Sequence, residues 1–482
     1  MFRLSLLKGG IIHLKFLKME RRKFLKGSAL LSGLYVLNPM DLLASSKGKN
    51  KSQSQDKAKN IIFMVSDGMS LGTLTMTDLY ARNILGKSTN WMNLYLENKV
   101  SRALMDTASA SSIVTDSSAA SSAFGGGIRV KNGRLNVGEN GEKHLPIWQE
   151  WKKKGKKAGC VTTVTITHAT PAGFCINSTS RNAEPEIAKT YAEIGFDVLM
   201  GGGQENFDAK LRKDQEDVYK LYQEKNYQII RNKSEMNLIK KNQPLLGIFN
   251  QDALPYSIDA NKNKQAQNIP SLAEMTQVAI DQMKDHKEGF VLQIEAGKVD
   301  WAAHANDVSA IIHEQLAFDE AIKTVMNFAE KDENTLVIIT TDHGNANPGI
   351  IYDSEATRKF NSIANYTSSN EYLLNEIHPN FTIQQIKDII HHLHQIDITE
   401  QEAKDLQKFY SGLEKEEGLY NYKKLPYKFY AEIQKKHNSV GWISMDHSSD
   451  YVELAAFGPG SHQIKSFIRN TDVHQIMQKA LA

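Results

Sequence analysis

Cysteine is nearly missing from this chain of 482 residues: two occur, Cys160 and Cys175. That scarcity excludes a disulfide framework as the basis of stability. Even the one available pairing is not expected. Cys160 begins an apolar strand run, and Cys175 falls about a turn into the helix beyond that strand's far end. This predicts a gap too wide for a bond that needs Cα atoms within about 7 Å. An excess of charge of one sign is missing too. The net charge is +3, part of it from the N-terminal region, so nothing in the balance calls for a nucleic-acid partner. Long apolar runs are also lacking: the stretch from Gly27 to Leu43 is interrupted by Asn38, Pro39 and Asp41 and makes a poor spanning helix. No long internal repeat or low-complexity tract is visible. What remains, 41% hydrophobic and 23% charged, suffices for one large α/β core plus an insertion.

Four segments place chemically capable side chains just past apolar strands, where open α/β sheets build their sites. The richest is Glu295-Ala296-Gly297-Lys298-Val299-Asp300-Trp301-Ala302-Ala303-His304, which follows the strand-like run Phe290 to Ile294. Gly297 permits a turn, and Asp300 and His304 then stand four apart on one face of a helix. The helical pattern continues through Val308, Ile311, Ile312, Leu316, Ile322, Val325 and Met326. Asp67 follows the run Ile61 to Val65; Asp342 and His343 follow Leu336 to Ile339; His168 and Thr170 follow Val161 to Ile166. One such aspartate is ordinary turn chemistry, but four strand ends bearing Asp, Glu, His or Thr form a donor set for metal ions.

A nucleophile is present as well. Thr115-Asp116-Ser117-Ser118-Ala119-Ala120-Ser121 opens a small-residue run that ends in Gly125, Gly126 and Gly127. Capping alone accounts for an Asp or Ser there. A serine at a helix N-terminus also gains from the dipole and the free amides, which favour an alkoxide and then a phosphate.

Together these residues resemble one family, the alkaline phosphatases. The resemblance runs in the same order from about Asn60 to Gly460 and fails mainly in one inserted region. It implies a three-layer αβα sandwich with a mainly parallel central sheet, to which the inserted helical region is expected to add a lid, a crown or a dimer contact. It also implies hydrolysis of phosphate monoesters through a phosphoserine on Ser117, positioned by Asp116, with Arg181 as the phosphate clamp. Ser118 follows directly, and register favours Ser117 because Asp116 precedes it. The implied cofactors are two zinc ions and one magnesium: Asp300, His304 and His447 for the first zinc; Asp67, Asp342, His343 and Ser117 for the second; Asp67, Thr170 and Glu295 for magnesium, which prefers oxygen donors. Two zinc ions about 4 Å apart suit the attacking and leaving oxygens of an in-line displacement. His168 and Trp301 occupy two positions beside the magnesium and phosphate at which members differ. Here they resemble members outside the enteric bacterial type, so that type's metal preference is not carried over. A homodimer is implied by the family alone.

The remaining segments set the boundaries. Arg21-Arg22-Lys23, the apolar stretch and Ala44-Ser45-Ser46 resemble a twin-arginine export signal over 1–46, with Met19 a candidate start and 47–59 a linker. Export to the periplasm or the medium is the expectation. The catalytic domain is expected over 60–351 and 439–482. Residues 352–438 show helical periodicity without strands, with Thr382 a candidate N-cap, and join the chain near the metal motifs at both ends. His391, His392 and His394 lie there too, and a metal reading of them is not favoured because adjacent histidines on a helix point to different faces. Two other readings stay open: a phosphodiesterase of the same superfamily, and an inactive exported zinc or phosphate binder. A sulfatase would need Cys-x-Pro-x-Arg or Ser-x-Pro-x-Arg, which is absent.

Overall fold

A computed structural model describes residues 56–481, apart from 261, 263–266 and 417–418. The export-signal reading of 1–46, and most of the 47–59 linker, lie outside these residues.

Ten strands form the main sheet. In chain order they are β1 (Asn60–Ser66), β2 (Ser101–Asp106), β3 (Lys157–Thr165), β4 (Val198–Gly202), β5 (Gln228–Ile230), β6 (Leu245–Ile248), β7 (Phe290–Ala296), β8 (Thr335–Thr340), β9 (Val452–Phe457) and β10 (Phe467–Arg469). Their spatial order is β10-β2-β9-β8-β1-β7-β3-β4-β6-β5. Only β9 runs against its neighbours β8 and β2; every other adjacent pair in this sheet is parallel. The central strands are continuous apolar runs because both their faces are covered. Along β1, Ile62 and Met64 face one core and Ile61, Phe63 and Val65 the other, as the two-residue period of a strand requires.

The order β8-β1-β7-β3 is what positions the chemistry. These four neighbouring parallel strands are the ones whose C-terminal ends carry the motifs, so residues far apart in sequence leave the sheet side by side. In register, Val65 lies between Thr340 and Glu295, and Glu295 lies beside Thr162.

On the second face, two short helices pack under the site: α1 (Ser117–Gly126) and α2 (Ala169–Cys175). The small-residue run of α1 is needed for this approach, since a Cβ on Gly125 would sit 2.1 Å from the carbonyl oxygen of Gly173. Phe63 locks both helices to the sheet, with ring centroids 5.2 Å from Phe124 and 4.9 Å from Phe174; such pairs contribute about 0.5–1.5 kcal/mol each beyond their burial.

On the first face lie α3 (Lys298–His304) and α4 (Val308–Asp332). The sequence pattern reads as one helix through this region, but the chain breaks it at Asn306, whose φ is +46°. Asp307 then caps α4, accepting from the backbone amides of Ser309 and Ala310. Hydrophobic periodicity passes through the break because the apolar faces of both helices meet the same core.

Among its described residues, the stretch 352–438 carries five α-helices, with Thr382 and Gln385 forming a capping box. It is not free of strands: Lys415–Glu416 and Leu419–Tyr420 pair as a minimal hairpin. Phe360, Ile363, Leu373, Ile386, Ile390 and Tyr430 join the same hydrophobic core as the first face of the sheet, so this stretch packs as part of the body. His394 is buried within it, its Nε2 donating to the Ser368 carbonyl at 3.0 Å and its Nδ1 accepting from the Tyr430 hydroxyl at 2.9 Å. His391 instead meets Asp397.

Burial pushes His394 down to about 3 from 6.5. The folded state therefore keeps it neutral where the unfolded chain takes up a proton. Its contribution is present above pH 6.5 and is lost as pH falls towards 3, at about 1.4 kcal/mol per pH unit. Urea denaturation at pH 6, 5 and 4 is expected to show a shallower loss of stability in His394→Gln than in the parent chain. Equal slopes would show that His394 protonates freely in the fold.

Candidate active site

Asp300 and His304 emerge on one face of α3, as their spacing requires, with Asp300 Oδ2 3.3 Å from His304 Nε2. Gly297 is not a turn residue. Its backbone is helical, with φ −69° and ψ −25°, and its lack of a side chain serves a close approach, because a Cβ would lie 2.6 Å from Val164. His447 reaches the same point through a two-residue pairing of His447–Ser448 with Gly344–Asn345, the segment just after His343. Its Nε2 stands 3.1 Å from His304 Nε2 and 3.5 Å from Asp300 Oδ1. Both imidazoles turn Nδ1 to a backbone carbonyl, His304 to Met445 at 2.6 Å and His447 to Thr115 at 3.0 Å. Each Nδ1 therefore carries the hydrogen, which aims the Nε2 lone pairs at one spot, the outer-shell arrangement that orients metal ligands.

The second set is fully buried. His343 Nε2 lies 3.3 Å from Asp342 Oδ2 and 3.5 Å from Asp67 Oδ1. Asp300 also comes within reach of Asp67 and His343, so the first two sets are contiguous. Ser117 opens α1 with its Oγ 3.3 Å from His343 Nε2. Ser118 turns away and donates to Asp116 Oδ2 at 2.6 Å. Of the two adjacent serines, Ser117 is the one that faces the cluster.

The third set joins Asp67, Thr170 and Glu295: Thr170 Oγ1 lies 3.4 Å from Asp67 Oδ2, and Thr162 donates to Glu295 Oε2 at 2.5 Å. His168 comes close as well, with Nδ1 3.9 Å from Glu295 Oε1. Arg181 links His168, beside this set, to Asp116, the residue before Ser117. Its Nη1 donates to Asp116 Oδ2 at 3.1 Å and its Nη2 to His168 Nε2 at 3.1 Å. Arginine can only donate, so His168 Nε2 is the acceptor and its Nδ1 bears the hydrogen. In that tautomer His168 holds Arg181 and offers no lone pair to a cation. Trp301, one residue past Asp300, lies with its ring 4.8 Å from the buried Lys298 ammonium, which also stacks on Tyr256 at 3.6 Å.

Two supporting residues escape a reading of motifs. Asn345 donates to Asp300 Oδ1 at 2.7 Å, and Thr162 holds Glu295. Asparagine two past a histidine, or threonine inside a strand, is too common to mark in advance. The tetrad Thr-Asp-His-Gly and the parallel register of β3 with β7 were the available signals.

The donor chemistry fits cations. Asp67 Oδ1, Asp342 Oδ2 and Glu295 Oε1 are buried with no hydrogen-bond partner, a state that costs several kcal/mol per charged group unless an ion compensates. Burial, then Asp342, Asp300 and Glu295, pushes the Asp67 carboxyl well above the usual range. Burial likewise lifts Glu295 to about 7. Asp300 goes the other way: burial opposes its charge, but His304 and His447 outweigh it and hold the carboxyl well below its ordinary value. His304 rises to about 9 against burial because Asp300 attracts its proton.

Comparison with known proteins decides the lineage. The alkaline phosphatase family model matches residues 58–482. This chain belongs to the alkaline phosphatase family. Alkaline phosphatase 4 of Bacillus subtilis is 29% identical over 462 residues, covering 94% of this chain and 95% of its own. The crystal structure of Thermus thermophilus alkaline phosphatase superposes with a TM-score of 0.80 at 31% identity, covering 90% of this chain and 95% of that one. A TAB5 alkaline phosphatase mutant with magnesium bound shares the fold at 23% identity and a TM-score of 0.63, over 89% of this chain and 99% of that one. The chain is thus a phosphomonoester hydrolase with a mixed α/β fold and a large, mostly parallel central sheet.

A pH-dependent cost follows from the crowded carboxylates. Without cations, the unfolded chain ionises Asp67 and Glu295 at lower pH than the folded one, so their contribution to stability falls as pH rises. For Glu295 the window runs from 4.5 to about 7, a loss on the order of 3 kcal/mol; His304 adds a decline between 6.5 and about 9. The gap in melting temperature between chelator-treated protein and protein given zinc plus magnesium is expected to widen from pH 5 to 9, a difference that cancels histidines such as His394 that titrate alike in both forms. A gap that does not change with pH would contradict the charge crowding.

Proposed function

We propose that this family member hydrolyses phosphate monoesters through a phosphoserine on Ser117, with zinc at the first two ligand sets and magnesium at the third. The observation that carries the reading is Ser117 at the buried N-terminus of α1, 3.3 Å from His343 and facing carboxylate oxygens that lack partners.

The chain's own groups divide the work. The Ser117 oxygen attacks phosphorus, its P–O bond forming as the bond to the leaving alcohol breaks. The free amides and dipole of α1 favour negative charge at its N-terminus through both steps. Asp116 caps that helix through the Ala119 amide at 2.9 Å and fixes Arg181 with a second oxygen. Arg181 holds Asp116 ionised below the usual carboxylate range against the cost of burial. The guanidinium plane, pinned at both ends, is pre-set to meet phosphate oxygens. Water then displaces serine from the phosphoserine and yields inorganic phosphate. When bound, the cations supply the positive charge for the attacking and leaving oxygens.

Oxygen-only ligation supports magnesium at the third set, since Asp67, Thr170 and Glu295 are hard donors and His168 is engaged by Arg181. Arg181 together with that cation suits the second negative charge of a monoester, which a diester lacks. We further infer that the 352–438 stretch roofs the site. The segment that follows the stretch meets the first ligand set, with the Met445 carbonyl accepting from His304 and the Ser444 carbonyl from nearby Asn306. Export through the twin-arginine-like leader and assembly as a homodimer complete the proposal. Among the described residues no helix is long and apolar enough to cross a membrane.

Ser117→Ala is expected to reduce turnover of an aryl phosphomonoester by about a thousandfold or more while bound zinc, read by elemental analysis, stays at the parent level. Ser118→Ala should keep most activity. Unchanged turnover in Ser117→Ala would remove the nucleophile assignment, and preference for a matched diester would move the substrate class. Arg181→Ala should lower kcat/KM by about 10- to 100-fold, the loss of one charge-assisted contact, and weaken inhibition by phosphate. Equal phosphate inhibition in the variant would exclude Arg181 as the clamp.

A further inference from the structure

The two cysteines, expected to lie far apart, stand with their Sγ atoms 3.5 Å from each other. The chain leaves β3, turns, and returns as α2 over the face it has just built. The last residue of the helix thereby comes back over the early part of the strand. Both side chains are completely buried. The backbone on either side is fixed independently of the sulfurs. Gln149 donates to the Cys175 carbonyl at 2.7 Å and Trp148 to the Gly159 carbonyl at 3.2 Å, and Cys160 sits in register between Gln293 and Leu199. One short helix, Ile147–Lys153, thus grips both cysteine-bearing segments.

We propose that Cys160 and Cys175 form an intrachain disulfide that fastens α2 to β3. Bonded sulfurs lie about 2.05 Å apart, so the pair must close by roughly 1.5 Å, within the reach of side-chain rotation at two adjoining positions. The oxidant is a low-molecular-weight or protein disulfide. One cysteine thiolate attacks it, forming a mixed disulfide and expelling a thiolate; the second cysteine thiolate attacks that mixed disulfide and expels the other. Two thiols are oxidised, one disulfide is reduced to two thiols, and the protons pass to the departing sulfurs. Burial also pushes the Cys175 thiol upward and disfavours its thiolate, so exchange proceeds while α2 is lifted from the sheet and is slow in both directions once the helix has docked. The closed loop holds Thr162, His168 and Thr170, three of the residues around the third ligand set, so the bond would brace that set. The proposal does not depend on which ester the enzyme hydrolyses.

The test uses the full chain, refolded from denaturant in a mixture of oxidised and reduced glutathione, then alkylated in denaturant and weighed. The expected result is a monomeric mass lower by two hydrogens, no alkylated thiol, and one cross-linked peptide pair joining Cys160 to Cys175. The oxidised form should melt a few degrees above the chemically reduced one, and Cys160→Ala/Cys175→Ala should show no such difference between the two treatments. Two alkylated thiols per chain after refolding, or glutathione adducts on both cysteines with no cross-link, would overturn the proposal. So would a bond found only between chains. The mass and thiol count are read on the unsubstituted chain, so the outcome stands whether or not the double variant folds.

Discussion

The arrangement of this protein turns on electrostatic repulsion that the chain cannot relieve with its own atoms. Asp67, Glu295, Asp300 and Asp342 converge at the ends of three adjacent strands and the helix after one of them, nearly out of contact with water. Desolvation, and after it mutual repulsion, drives Asp67 and Glu295 towards the protonated form. Such a cluster is tolerable only because the rest of the fold is stable enough to hold it together, and because cations can relieve it. The apolar strands β8, β1, β7 and β3 supply that stability in the same stroke that aligns the carboxylates. Sheet and site are one construction: the parallel register that buries Ile62, Met64 and Ile294 also sets Glu295 beside Val65.

Positive charge within the chain is distributed to match this. His304 and His447 balance Asp300, which is why that carboxyl, unlike Asp67 and Glu295, is held strongly ionised. Arg181 is tethered by Asp116 and His168 without reaching the buried carboxylates in the hydrogen-bond pattern. The neutral state of His168, pushed down to about 3 by burial and by Arg181, is what allows it to accept from a guanidinium. A protonated histidine there would repel the guanidinium, whereas a neutral one orients it.

Much of this was legible in the sequence because parallel strands are continuous apolar runs and their ends are marked by a change to Asp, Glu, His or Thr. Asp67, Glu295, Asp342 and His343 declare themselves in that way, and the four-residue spacing of Asp300 and His304 is a helix-face argument. His447 is not legible on the same terms. It reaches the cluster through a two-residue antiparallel pairing that leaves no periodic trace. The break at Asn306 hides because the apolar pattern on both sides serves one core. Gly297 misleads in the opposite sense, since glycine reads as a turn residue and here answers to Val164. Asn345 and Thr162 carry no signal of type at all; their importance exists only once Asp300 and Glu295 are in place.

The cysteines show most clearly what linear reasoning leaves out. Counting residues from Cys160 to the strand end and on to Cys175 measures path along the chain, and that path is long. The α/β architecture folds it back on itself: a helix following a strand must return across the sheet to bury its apolar face. Separation along the chain and separation in space are then opposed, and the residue that ends the helix meets one near the start of the strand. The same return places Thr170 against Asp67 and Gly173 against Gly125, within a few residues of Cys175. The contact between the sulfurs, the third ligand set and the close packing of α1 are consequently three results of one chain reversal. A change that loosens α2 from β3 must act on all three together.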